Sequence, residues 1–222
     1  MFFKKRDKQN NVTSEKAYHE MLKAFNYDSC PICRISKNYL NKYFDDFLYE
    51  SVNDPERRKV IRNSLGFCKR HAQIMYSLGD ALGHSILYSD LISILIENTY
   101  SDITHGKNNS RFQKCPACVF EEEQESYLIS VFLRAVENQD FFYKYRNSFG
   151  ICYPHYIKVI DSCENNKILE KIKKVERELM SELKNELDEF IRKCDYRFSN
   201  EGFNSEKNSW IRAIKKLVGD FY

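Results

Sequence analysis

Arg62-Asn63-Ser64-Leu65-Gly66-Phe67-Cys68-Lys69-Arg70-His71 returns later in the chain as Arg146-Asn147-Ser148-Phe149-Gly150-Ile151-Cys152-Tyr153-Pro154-His155, with Arg, Asn, Ser, Gly, Cys and His in register. A second element precedes each copy in the same order, Cys30-Pro31-Ile32-Cys33 before the first and Cys115-Pro116-Ala117-Cys118 before the second. A lone Cys-x-x-Cys is common, and a lone Cys-x-x-His carries almost no information. Two ordered copies at matched separation read as one unit written twice.

The punctuation around these elements predicts helices. With 7 Gly and 4 Pro in 222 residues there are too few turn signals for an all-β sandwich, and Lys, Glu and Leu recur through the second half, so the chain is expected to be all-α. A first helix is predicted from about Ser14 to Asn26. Cys30 and Cys115 can each cap a helix whose first residue is Pro31 or Pro116, where the missing proline N–H is not needed. Asp54-Pro55 starts another helix that ends at Gly66, and Cys68 opens the next, with His71 in its first turn. A long helix follows from about Ala81 to Tyr100. The second copy repeats this plan from Cys115. Beyond Cys163, Ile168, Ile172, Val175, Leu179, Leu183, Leu187, Phe190 and Cys194 step by threes and fours, the stripe of a long C-terminal amphipathic helix. A polar break at Ser199-Asn200-Glu201-Gly202 precedes a last helix, from about Glu206 to Val218, that bears Trp210, Ile214 and Leu217. The chain thus divides into a polar N-terminal tail (1–13), a first helical metal-binding repeat (14–105), a second (106–163) and C-terminal helices packing on the repeats (164–222).

Zinc takes four soft or borderline ligands in a tetrahedron, and a Cys-x-x-Cys or Cys-x-x-His pair at a tight turn offers two of them together. Each repeat supplies one pair of each kind, a Cys₃His set twice over, so two zinc ions per chain are expected. Helix N-termini suit this role, because free N–H groups and the positive dipole end favour thiolates. The ligands are expected within each repeat, which is then self-sufficient: Cys30, Cys33, Cys68 and His71 in one, Cys115, Cys118, Cys152 and His155 in the other. Pairing across the repeats, such as Cys30/Cys33 with Cys152/His155, is the alternative arrangement. Three thiolates and a histidine can also hold an iron–sulfur cluster, but the spacing favours a structural zinc site.

Cys-Pro-x-Cys at a helix start also invites a thiol redox reading. That motif normally follows a strand, no strand precedes Cys30 or Cys115, and redox chemistry leaves the downstream Cys and His unexplained. Cys163 and Cys194 lack the repeat's context and are expected to be small buried or half-buried residues. His19, His84 and His105 have no partner at ligand spacing. Glu121-Glu122-Glu123 reads as a solvated helix face. No Gly-rich phosphate loop, G-x-S-x-G elbow or H-E-x-x-H occurs, so the chain reads first as an interaction module, the alternative being an enzyme or carrier that uses the metal or the thiols directly in redox, sulfur or metal handling. Its pI of about 8.3 and formal charge of +3 give no nucleic-acid footprint, which requires a pI above about 9. No run reaches the roughly 20 apolar residues that cross a bilayer, and Met1-Phe2-Phe3 followed by charges is not a signal peptide. A cytoplasmic protein with a protein partner is the expectation.

The duplicated Cys-Pro-x-Cys and Gly-x-Cys-x-x-His elements resemble the prokaryotic family called domain of unknown function 6062. Phe190 through Phe198, and Ser209-Trp210 through Ala213 and Leu217 to Gly219, are similar to that family's C-terminal signature. The resemblance runs from about Tyr18 onward and carries the four motif elements over at Cys30, Cys33, Cys68, His71, Cys115, Cys118, Cys152 and His155. It implies an architecture and no activity. Asp195-Tyr196-Arg197 is expected to make a structural arginine–aspartate contact.

Overall fold

In the computed structural model, residues 3–100, 113–198 and 200–220 are described. Among them are ten α-helices and no strand: α1 (Phe3–Ala24), α2 (Pro31–Asp46), α3 (Pro55–Asn63), α4 (Lys69–Ser77), α5 (Ala81–Tyr100), α6 (Pro116–Ala135), α7 (Gln139–Arg146), α8 (Tyr153–Ser162), α9 (Asn166–Lys193) and α10 (Ser209–Val218). His105 lies outside the described residues. The backbone is helical from Phe3, so one helix replaces the expected tail of residues 1–13 and the expected start near Ser14. The local reason is composition, since residues 1–13 hold no Gly or Pro and several Lys, Arg and Gln, all tolerant of helix. A π-turn, Phe47–Ser51, follows α2, and a 3₁₀ turn, Ser205–Asn208, leads into α10.

The repeated sequence elements build the same local structures. Asp54 caps α3 by accepting from the N–H groups of Glu56 and Arg57, and Asn138 caps α7 by accepting from those of Asp140 and Phe141. In the Arg-Asn-Ser-x-Gly-x-Cys segment, Ser64 and Ser148 donate to the carbonyls of Ile61 and Tyr145 at the ends of those helices. Gly66 and Gly150 then turn the chain at φ 91° and 73°, a region open to glycine. Cys68 and Cys152 sit at the N-caps of α4 and α8 in extended conformation. The motif's arginines reach back to the following long helix, Arg62 to Asp90 at 2.6 Å and Arg146 to Glu178 at 3.6 Å.

The packing groups the chain by space and not by consecutive motif: Met1–Ile35 with Glu125–Tyr222 form one compact unit, and Ser36–Gln124 form the other. The first has a core of Met21, Phe25, Ile32, Phe132, Phe141, Tyr145, Val159 and Ile172. Phe141 stacks on Tyr18 and meets Phe25 and Phe132 edge-on. The second has a core of Leu40, Phe44, Phe47, Ile61, Met75, Leu87 and Leu91, with Phe67 and Phe120 packed against it.

In the first unit, α9 follows its stripe, burying Ile172 and Val175 and half-burying Leu179, Leu183 and Leu187. Cys163 is half-buried, but Cys194 is exposed, because Cys194 ends the helix and turns the stripe out to solvent. Glu176 is buried in the middle of α9. Its carboxylate accepts from Tyr145 Oη at 2.7 Å, Ile151 N at 2.9 Å and Lys216 Nζ at 2.6 Å. Arg197 pairs with Asp195 at 2.6 Å, the short-range structural contact expected there.

Candidate metal centres

Each of the eight motif side chains stands at a helix opening, and the openings meet in pairs. Cys30, Cys33, Cys152 and His155 bring four ligand atoms within 4.8 Å of one another, and so do Cys68, His71, Cys115 and Cys118. The first tetrad lies wholly in the first unit and the second wholly in the second.

This corrects the expected pairing. The tetrads join the Cys-x-x-Cys of one repeat to the Cys-x-x-His of the other. Helix lengths explain the exchange. α2 has 16 residues and α3 only 9, so at about 1.5 Å per residue the return leg is too short to bring Cys68 back to Cys33. The second half of the chain has the same mismatch, with 20 residues in α6 and 8 in α7. Cys68 and His71 at the start of α4 meet the start of α6 instead, and Cys152 and His155 at the start of α8 meet the start of α2.

The internal distances are those of a single tetrahedral ion. Bonds of about 2.3 Å to sulfur and 2.0–2.1 Å to nitrogen set sulfur–sulfur edges near 3.8 Å and sulfur–nitrogen edges near 3.6 Å. In the first tetrad Cys33 Sγ lies 3.6 Å from Cys152 Sγ, and His155 Nδ1 lies 3.5, 3.3 and 3.1 Å from the sulfurs of Cys30, Cys33 and Cys152. In the second, Cys68 Sγ lies 3.8 Å from Cys118 Sγ, and His71 Nδ1 lies 3.3, 3.5 and 3.4 Å from those of Cys68, Cys115 and Cys118. All eight cysteines are free thiols, and these sulfurs are far beyond the roughly 2.05 Å of a disulfide.

In both tetrads Nδ1 faces the sulfurs, and in both Nε2 turns to a carboxylate on α6. His155 Nε2 lies 3.2 Å from Glu125 Oε1, and Lys158 pairs with the same carboxylate. His71 Nε2 lies 3.0 Å from Arg70 Nη2 and 3.5 Å from Glu121 Oε2, the carboxylate that Arg70 also binds. At His155 the carboxylate behind the imidazole suits the tautomer that presents Nδ1 to a metal. Glu121 is therefore a buried partner of the site and not part of the solvated face expected for Glu121-Glu122-Glu123. Of the remaining histidines, His19 is exposed and His84 bonds to the Asp80 carbonyl one turn back; neither joins a tetrad.

Without a cation the two clusters are electrostatically lopsided. Burial pushes His155 down, but hydrogen bonds to the Cys152 and Cys30 sulfurs and to Glu125 outweigh it and pull it up to about 12. Burial likewise opposes His71, which bonds to Cys115 and Glu121 raise to about 9. Burial works against ionising Cys115, yet the His71 hydrogen bond and nearby backbone N–H groups bring it down to about 6. Burial and the charge of Cys115 then push Cys118 up to about 12. In the first tetrad Cys30 is lowered, against its burial, by bonds from Cys152, Cys33 and His155, while Cys33 is raised by Cys152 and Cys30. One thiolate per cluster is thus stabilised at the expense of its neighbours. A divalent cation supplies the charge that lets several ionise together.

The chain matches the family of unknown function DUF6062 over residues 20–222. It belongs to that family. The DUF6062 chain is also 32% identical over 216 residues to the "Uncharacterized 23.9 kDa protein in xynA 3'region" of Caldicellulosiruptor sp. (strain Rt8B.4), covering 90% of this chain and 99% of that one. No solved structure matches it. No helix among the described residues is long and apolar enough to cross a membrane.

Proposed function

We propose that this DUF6062 protein is an internally duplicated, zinc-stapled helical scaffold that binds another protein in the reducing cytoplasm. Zinc is the metal best suited to three thiolates and one imidazole in a closed tetrahedron. An iron–sulfur cluster would hold its ligands apart with several metal and sulfide atoms, whereas four ligand atoms within 4.8 Å suit one ion. Each ion would join helix openings far apart in sequence, so its binding free energy becomes folding free energy.

The observation that carries the interaction role is the orientation of α10. This helix turns its polar edge inward, with Ser209 and Lys216 buried and Arg212 paired to Glu186. Its apolar edge, Trp210, Ile214, Leu217 and Val218, faces out, with Leu217 66% exposed. A stripe of this kind at helical spacing is the usual mark of a protein-binding face. Elemental analysis is expected to give two zinc ions per chain, and stripping them should lower helicity and the melting temperature. Trp210→Ser and Leu217→Ser should keep zinc and fold while losing a partner that the wild-type chain recovers from its own host. Full helicity without metal, or undiminished partner recovery, would overturn the proposal.

A second reading draws on Cys115, a half-exposed thiol held near 6. A low, accessible thiol suits direct thiol or metal-handling chemistry once the second tetrad is empty. Rapid alkylation of Cys115 in zinc-loaded protein would favour it; protection until the metal is stripped favours the scaffold.

A further inference from the structure

We propose that the two tetrads hold their metal on different terms: the first is sealed by the C-terminal helix and retains its ion, and the second is open and exchanges it. The inference rests on both tetrads being metal sites, as proposed above.

In the first tetrad Cys30, Cys152 and His155 are buried and Cys33 is half-buried, against one buried member, His71, in the second. Gly219, the residue that follows α10, is buried beside the sulfurs. A Cβ built on Gly219 would come within 3.3 Å of Cys33 Sγ and 3.8 Å of Cys152 Sγ. Gly219 takes φ 92°, which glycine adopts without strain. Glycine thus suits both the backbone turn and the close approach to Cys33 at this position.

Several contacts hold this cap down. Lys216 reaches Glu176 at 2.6 Å and the Phe149 carbonyl at 3.1 Å, in the segment that leads into Cys152. Arg212 pairs with Glu186 on α9. An incoming ligand on the Cys33–Cys152 edge therefore has to wait for α10 to lift, a local opening with its own free-energy cost.

The second tetrad has a different surface. Its three sulfurs, Cys68, Cys115 and Cys118, are all partly exposed, and only His71 is buried. Arg70, which braces Glu121 behind His71, is itself on the surface. A chelator or competing thiol can approach a zinc–sulfur edge there without any helix moving. Motifs that match in sequence would thus hold one permanent staple and one site that responds to metal and thiol levels.

The test is zinc release from the full-length, zinc-loaded chain into excess 4-(2-pyridylazo)resorcinol. Two phases are expected, each of one zinc per chain. Cys118→Ser should remove the fast phase and keep the slow one. Lys216→Met, which unpins α10, should speed the slow phase at least about tenfold and leave the fast phase unchanged; should that variant not fold, Arg212→Gln moves the slow phase in the same direction. Phe141→Leu loosens the core around Tyr18, Phe25 and Phe132 with the Lys216 anchor intact, and should leave the slow phase slow. A single phase, loss of the slow phase in Cys118→Ser, or equal acceleration by Phe141→Leu would overturn the inference. Fewer than two zinc ions at the start would instead overturn the metal reading itself.

Discussion

Lys216→Met removes the cation from the most buried ion pair among the described residues and leaves its methylenes in place. Lys216 and Glu176 have side chains only 6% and 1% exposed, with Nζ and Oε2 2.6 Å apart. Breaking a buried pair from one side costs about 3–5 kcal/mol, because an uncompensated charge remains. Here Glu176 would keep two donors, Tyr145 Oη and Ile151 N, which places the expected loss near the lower end, about 3 kcal/mol. At roughly 2–4 °C per kcal/mol for a chain of this length, that is a fall in Tm of about 6–12 °C. Glu176→Gln should be at least as damaging, since it weakens the acceptor for both donors and strands Lys216. The double replacement Glu176→Met with Lys216→Met should not restore stability, because Tyr145 Oη and Ile151 N–H would each be left buried without an acceptor, at about 1–3 kcal/mol apiece. Urea unfolding of the zinc-loaded variants, followed by circular dichroism, gives these differences directly. A loss below about 1 kcal/mol for Lys216→Met would show that the pair does not anchor α10.

Glu125→Gln should weaken metal binding at the first tetrad by about 10–100-fold, and Glu121→Gln should do so at the second, as measured by competition with a chelator of known affinity; equal affinity in either variant would remove that carboxylate from the site. Gly150→Ala should destabilise by more than the roughly 1–2 kcal/mol of a left-handed non-glycine residue, since its Cβ would sit 2.6 Å from both Glu176 Oε1 and Leu179 Cδ1; a neutral result in urea unfolding would contradict the packing. Metal binding at the second tetrad should release at least about two protons at pH 7, because His71 (about 9) and Cys118 (about 12) hold theirs in the metal-free protein while Cys115 (about 6) does not. Affinity there should accordingly climb as pH rises toward 9 and fall steeply as pH drops through 6; calorimetry in buffers of different ionisation enthalpy counts the protons, and a value of zero would refute the ligand assignment.

The eight side chains of the two clusters stood out in the sequence because each pair carries its own turn chemistry: a cysteine at the N-cap, Pro31 or Pro116 at the first position, and Gly66 or Gly150 just before the second pair. The pairing was not legible, since motifs name ligands without saying which helix openings meet. The signal that settles it is length, with α3 and α7 about half as long as α2 and α6. The carboxylates behind the histidines were hidden among ordinary surface-looking glutamates. Glu121 and Glu125 follow Cys118 by one and two helical turns, so the face that carries the thiol could have found them. The orientation of α10 was hidden for another reason. Trp210, Ile214 and Leu217 look like a buried stripe until Glu176 and Glu186, on a helix dense in charge, prove to be the inward partners of Lys216 and Arg212.

Metal stoichiometry in crossed ligand variants tests the central claim most directly. Wild-type protein should carry two zinc ions, and Cys30→Ser with Cys33→Ser should carry one. Adding Cys152→Ser and His155→Ala to that variant should still leave one, because all four residues serve the same ion. A fall to none on that second step would place the ligands within each repeat and contradict the structure.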